Sequence, residues 1–158
     1  MGRGTLSVES TNPTGTGTVL LSEADGTLIL QDAQTALAIF SPAKGFSSSA
    51  FGPLRFRVID PDGVSGDWMP LGNLVRVPQL KEIRCPDKPD QKCELSGGNL
   101  FLIDAVASDA EFKNTVPVPA GFVDSTLSVP RPNGTLLYLK LRDDPAAVSM
   151  AVLPVLPE

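Results

Sequence analysis

Hydrophobic and polar residues alternate with a period of two along much of the chain. Leu54, Phe56 and Val58 fall on one side of an extended run, and Arg55 and Arg57 fall on the other. Leu137, Leu139 and Leu141 alternate in the same way with Tyr138, Lys140 and Arg142. Successive side chains of a strand point to opposite faces of its sheet, so each run predicts a strand with one buried and one wet face. Further strands are expected at 18–21, 27–31, 35–40, 73–77, 80–84, 92–95, 100–106, 126–129 and 148–152. Turn chemistry separates them: Asp25-Gly26, Pro61-Asp62-Gly63, Ser96-Gly97-Gly98 and Asn133-Gly134. Asn133-Gly134-Thr135 also matches a glycosylation acceptor, and the hairpin turn is the preferred reading. Only 31–40 and 104–112 have room for a helical turn, and the first reads equally well as a strand. Short strands at regular spacing predict an all-β fold of the sandwich type.

The pattern is written twice. Leu28-Ile29-Leu30-Gln31-Asp32-Ala33 is echoed by Leu100-Phe101-Leu102-Ile103-Asp104-Ala105, and Leu54 to Asp60 is echoed by Leu137 to Asp143. Ala43-Lys44-Gly45-Phe46 likewise meets Pro119-Ala120-Gly121-Phe122. The offset grows from 72 (Leu28 to Leu100) to 83 (Leu54 to Leu137), so the copies differ by small insertions. A period of this length suits two small domains in tandem, expected at 1–78 and 79–158, with Val77-Pro78-Gln79-Leu80 as the junction. Duplicated domains are usually spacers or binding modules.

Composition narrows the functional classes. Domains of this size lie near the lower limit for an independent core. The chain holds 14 glycines and 15 prolines among 158 residues, spread along its length, which fits many short elements between turns. Net charge is −5 and no basic stretch occurs, so nucleic acid is not an expected partner. No apolar run reaches the ~20 residues of a membrane span, so no membrane insertion is expected. Met1-Gly2-Arg3-Gly4 is followed by no hydrophobic stretch, which suggests a piece of a longer protein or one whose signal has been removed.

Several stretches resemble the IPT/TIG group of immunoglobulin-like domains. Pro78-Gln79-Leu80-Lys81-Glu82-Ile83 is similar to the group's opening proline and short strand ending in isoleucine. Leu95-Ser96-Gly97-Gly98-Asn99-Leu100-Phe101 resembles its glycine-rich turn and asparagine-aromatic strand, and Val58-Ile59-Asp60-Pro61-Asp62-Gly63 its late Asn-Pro-Asp-Gly turn, with Asp60 in place of Asn. Each half matches only some of the pattern. The resemblance implies two tandem immunoglobulin-like β-sandwiches from a bacterial secreted or surface protein. It also implies a spacer, adhesion or assembly role without enzymatic activity.

Three groups of residues are candidates for chemistry. Cys85 and Cys93 flank a polar loop bent by two prolines, and a disulfide between them is expected, with free thiols as the other reading. Such a bond implies an oxidising compartment, hence a secreted or cell-surface location. Asp60, Asp62 and Asp67 with Ser65 could wrap a calcium ion, the one cofactor the sequence suggests; the alternative is a solvated turn. Trp68 and Met69 could anchor a protein or glycan partner, or Trp68 could plug the core. Catalysis has little to work with. The chain has no histidine, Gly63-Val64-Ser65-Gly66 falls one residue short of a nucleophile elbow, and Gly15-Thr16-Gly17 opens no phosphate loop. The expected function is therefore a non-catalytic structural or interaction module, with self-association left open. A carbohydrate-binding module accessory to an enzyme is the alternative.

Overall fold

The computed structural model describes residues 4–11, 17–47 and 49–158; Gly15 and Thr16 of the glycine motif lie outside them. The chain is built almost wholly of antiparallel strands and divides into two compact units, Met1–Arg76 and Val77–Glu158.

The first unit centres on β1 (Thr5–Ser10). It pairs antiparallel with β2 (Thr18–Ser22) on one side and with β5 (Gly52–Ile59) on the other. Leu6 stands opposite Leu21 and Val58, Val8 opposite Val19 and Phe56, and Ser10 opposite Leu54. Cross-strand partners share a face, so one surface of this sheet is apolar and the other carries Ser7, Glu9, Arg55 and Arg57. β6 (Met69–Leu74) joins β5 at the edge, giving the order β2-β1-β5-β6. β3 (Leu28–Leu30) and β4 (Ala36–Ala38) form a separate two-stranded hairpin. A short helix α1 (Pro42–Phe46) starts at proline and turns Phe46 inward, edge-on to Phe40 at 6.3 Å. Val8, Leu21, Phe46, Ala50 and Leu54 make the buried core.

The second unit is a sandwich of two four-stranded sheets. One sheet has the order β11-β8-β7-β14, from β7 (Gln79–Cys85), β8 (Cys93–Gly98), β11 (Thr126–Val129) and β14 (Val155–Pro157). The other has the order β10-β9-β12-β13, from β9 (Ile103–Ala107), β10 (Thr115–Pro117), β12 (Leu136–Leu141) and β13 (Asp144–Val152). Ile83, Leu95 and Val129 from the first sheet meet Val106, Leu137 and Leu139 from the second in one core. β14 lies parallel to β7, with Val155 opposite Ile83. Among the described residues all other ladders are antiparallel.

Several expectations are corrected. Alternation puts Val58 in the core with Leu54 and Phe56. Leu54 is buried and Phe56 half-buried, but Val58 is 45% exposed, since among the described residues no full second sheet lies over that end of β5. The early stretch of the repeat joins unlike elements: Leu28–Leu30 is strand β3, whereas Leu100–Leu102 is a turn of 3-10 helix after Asn99 in the left-handed conformation. Ser96-Gly97-Gly98 is not a turn but the end of β8. Gly97 is needed because a Cβ there would overlap the Gln79 carbonyl, beside the register shift between Leu80 and Glu82. Asn133-Gly134 makes a turn, yet it leads into β12 rather than joining two paired strands.

Candidate interaction surfaces

The polar face of the first sheet carries a ladder of charge and aromatic ring. Arg55 and Arg57 project from β5 two residues apart, hence on one face. Trp68 reaches that face from just ahead of β6, and both guanidinium carbons lie 4.4 Å from its ring centroid. Cations over an indole gain roughly 0.5–1 kcal/mol each at partly exposed sites. Arg55 also forms an ion pair with Glu9 of β1, its Nε donating to the carboxylate. The Nε of Arg57 is buried without a hydrogen-bond partner. Trp68 is half-buried and stands outside the core cluster, so it is a surface residue held by two cations.

Met69 does not share this surface. It stands opposite Phe56 in the β5–β6 ladder and so belongs to the apolar face. The adjacent residues expected to act as one anchor are split across the sheet.

Asp60, Asp62 and Asp67 lie in the exposed connection between β5 and β6. The Gly63 amide donates to the Asp60 carbonyl at 2.8 Å and the Asp60 amide to the Val64 carbonyl at 2.9 Å, with Gly63 at positive φ. This is a tight turn, and the three carboxylates are not brought together. Among the described residues no group of three or more acidic, cysteine or histidine side chains is arranged to hold a metal.

Cys85 and Cys93 are joined, linking the end of β7 to the start of β8 with Cα atoms 4.4 Å apart. Arg131 fastens the enclosed loop by donating to the carbonyls of Pro86 (2.6 Å) and Lys88 (2.8 Å). Arg142 acts similarly at the other end of the unit, donating to the carbonyls of Phe101, Ile103 and Val118 at 2.8 to 3.0 Å. Asp109 organises the turn before β10 by accepting from the amides of Glu111, Lys113 and Asn114. These bonds, that from Asn114 foremost, hold its carboxyl below its ordinary 3.8.

Two apolar surfaces were not foreseen. In the first unit a groove of roughly 340 Å³ runs between the β3–β4 hairpin and the sheet, lined by Leu6, Leu28, Ala38, Phe56, Val58 and Leu71. In the second, Met150 (70% exposed) and Val152 (73% exposed) stand on the edge strand β13. The groove had a signal in the sequence: from 26 to 43 the only charged residue is Asp32, and apolar residues fall on both faces of the strands there.

No protein-family model, curated protein or solved structure matches the chain.

Proposed function

We propose that the chain is a non-catalytic interaction module of a larger secreted or cell-surface protein, built from two immunoglobulin-like units of the IPT/TIG kind. The observation that carries this reading is one sheet recurring in both units. β2-β1-β5-β6 and β10-β9-β12-β13 have the same order and the same antiparallel pairings. A duplicated scaffold suits a spacer or binder, because each copy can present its own surface. The Cys85–Cys93 bond favours an oxidising compartment. The lack of histidine removes the commonest general base.

The contact surface best supported is the Trp68 ladder, and a protein partner suits it better than a sugar. Its indole ring already packs against two guanidiniums and has less area left for stacking on a pyranose. The test is biolayer interferometry of the full chain against panels of secreted proteins and of glycans. Trp68→Ala should weaken protein binding at least tenfold. The same variant should lower the melting temperature by less than ~8 °C, the scale of one or two lost cation–π contacts. Unfolding of the variant would make Trp68 a structural plug, and unchanged binding would move the contact elsewhere.

A further inference from the structure

The two arginines of the Trp68 ladder differ in how their charge is met. Arg55 stands opposite Glu9 of β1, and its Nε donates to that carboxylate. Arg57 lies two residues further along the same face and stands opposite Ser7. Serine brings no charge, and Ser7 is only 2% exposed. Both guanidinium carbons lie 4.4 Å from the indole centroid, so the two cations are seated alike and one of them has an acid. Among the described residues no hydrogen bond or ion pair reaches Arg57, and its Nε is shut off from solvent. The undescribed residues, 1–3, 12–16 and 48, include no aspartate or glutamate, so no acidic side chain between 1 and 158 takes the place that Glu9 takes on Arg55. A half-buried cation has lost part of its water, and without an anion it has gained no charge partner in return. Stacking on an indole uses the face of a guanidinium and leaves the N–H donors at its edge, which match a carboxylate through paired hydrogen bonds.

We propose that Arg57 receives one acidic side chain, an Asp or Glu, of the protein partner. The partner's acid completes on Arg57 the pairing that Glu9 makes on Arg55. The surroundings select a lone carboxylate over a polyanion. The strands of this sheet carry no lysine, and Glu9 already offsets one of the two arginines. Asp60, Asp62 and Asp67 lie in the adjoining connection between β5 and β6, in a chain of net charge −5. A surface dense in phosphate or sulfate is repelled there. The proposal rests on the reading of the Trp68 ladder as the contact surface and adds the partner's chemistry to it.

The probe is N-acetylglutamate amide, titrated into the full chain and followed by NMR at the Arg57 Nε–H and the Trp68 indole N–H. N-acetylglutamine amide is the neutral control and inorganic phosphate the rival anion. The expected result is a saturable shift of both signals with the glutamate probe and none with the glutamine one. Arg57→Gln should abolish the indole shift while the melting temperature stays within a few degrees, since Arg55 still holds the ring. Arg57→Lys should weaken binding about threefold or more, because an ammonium lacks the planar fork. Glu9→Gln, which releases Arg55, should let the Arg55 Nε–H respond as well. Four results would overturn the proposal: no shift, equal shifts with the glutamine probe, a stronger response to phosphate, or an indole shift that survives in Arg57→Gln. A protein captured through Trp68 gives a separate check, and Arg57→Gln should weaken its binding at least tenfold. Loss with Trp68→Ala but not with Arg57→Gln would overturn the acid contact alone and leave the Trp68 surface standing. A response to the glutamate probe with no protein captured would support the acid contact and count against the wider reading.

Discussion

Val58 and Leu141 hold corresponding places in β5 and β12, yet Leu141 is buried and Val58 is not. Alternation along a strand fixes which side chains share a face but says nothing about whether that face is covered. The consequence is measurable. Leu139, 4% exposed within the twelve-residue core of the second unit, is expected to cost about 2 to 5 kcal/mol when replaced by alanine. Val58→Ala should cost less than about 0.5 kcal/mol. Urea unfolding of the two variants checks the contrast, and equal losses would mean that the face of β5 is covered after all. The arginines teach a related lesson. Arg142 reads in sequence as a wet-face residue beside Leu141. Its guanidinium instead gathers carbonyls of residues 24 to 41 positions away, a partnership with no local signature. Trp68 was legible as a special residue, but its arginine partners emerged only when β5 and β6 paired.

Elements were legible where polar and apolar residues contrast sharply. The strand at 126–129 matches β11, and 80–84 falls within β7. No alternation strong enough to mark a strand occurs at Thr5–Ser10, where only Leu6 and Val8 stand out among small polar residues, although this strand is central to its sheet. The apolar run at 100–106 reads as one strand, but Asn99 at φ 55 starts a 3-10 turn before β9 begins. The turn before β10 shows how one side chain can hold an element's start. Asp109 accepts three backbone amides, and these favour its ionised form, so its folded pKa lies below the ordinary 3.8. The contribution is therefore present above that value and is lost as pH falls below 3.8 through the folded pKa. Exchange at the Lys113 and Asn114 amides should accelerate in acid relative to the Cys93–Gly98 strand. Asp109→Asn should remove that acid dependence; if the variant keeps it, another group controls the turn.

At the scale of the molecule the two units differ in what holds them. Among the described residues, the second encloses twelve buried residues in its core cluster and carries the disulfide, whereas the cluster in the first has five. Burial stabilises by about 25 cal/mol per Å² of apolar surface, so the first unit is expected to unfold at the lower temperature. Calorimetry should resolve two transitions. Reductant should lower the upper one, since opening the loop between Cys85 and Cys93 removes about 2 to 3 kcal/mol in the chain-entropy account. Leu54→Ala should lower only the other. A single transition, or one insensitive to reductant, would contradict this assignment. The repeat in the sequence meets the two sheets at one place, where Leu54 to Ile59 lie in β5 and Leu137 to Leu141 in β12, while its early stretch joins strand β3 to a 3-10 turn. It could not foretell that one copy is covered by a full layer and the other by a hairpin.

The parallel pairing of β14 with β7 gives the second unit a mechanical character. Tension that enters at the start of β7 and leaves at the end of β14 pulls neighbouring parallel strands in opposite directions along their length. The bonds between them, such as that from the Ile83 amide to the Pro154 carbonyl, are then loaded together and must give way together. In an antiparallel hairpin pulled at its open end the bonds would instead break singly, in sequence. The closing strand therefore places the first resistance to stretching at the two ends of the unit, and its interior is strained only after that seam has slipped.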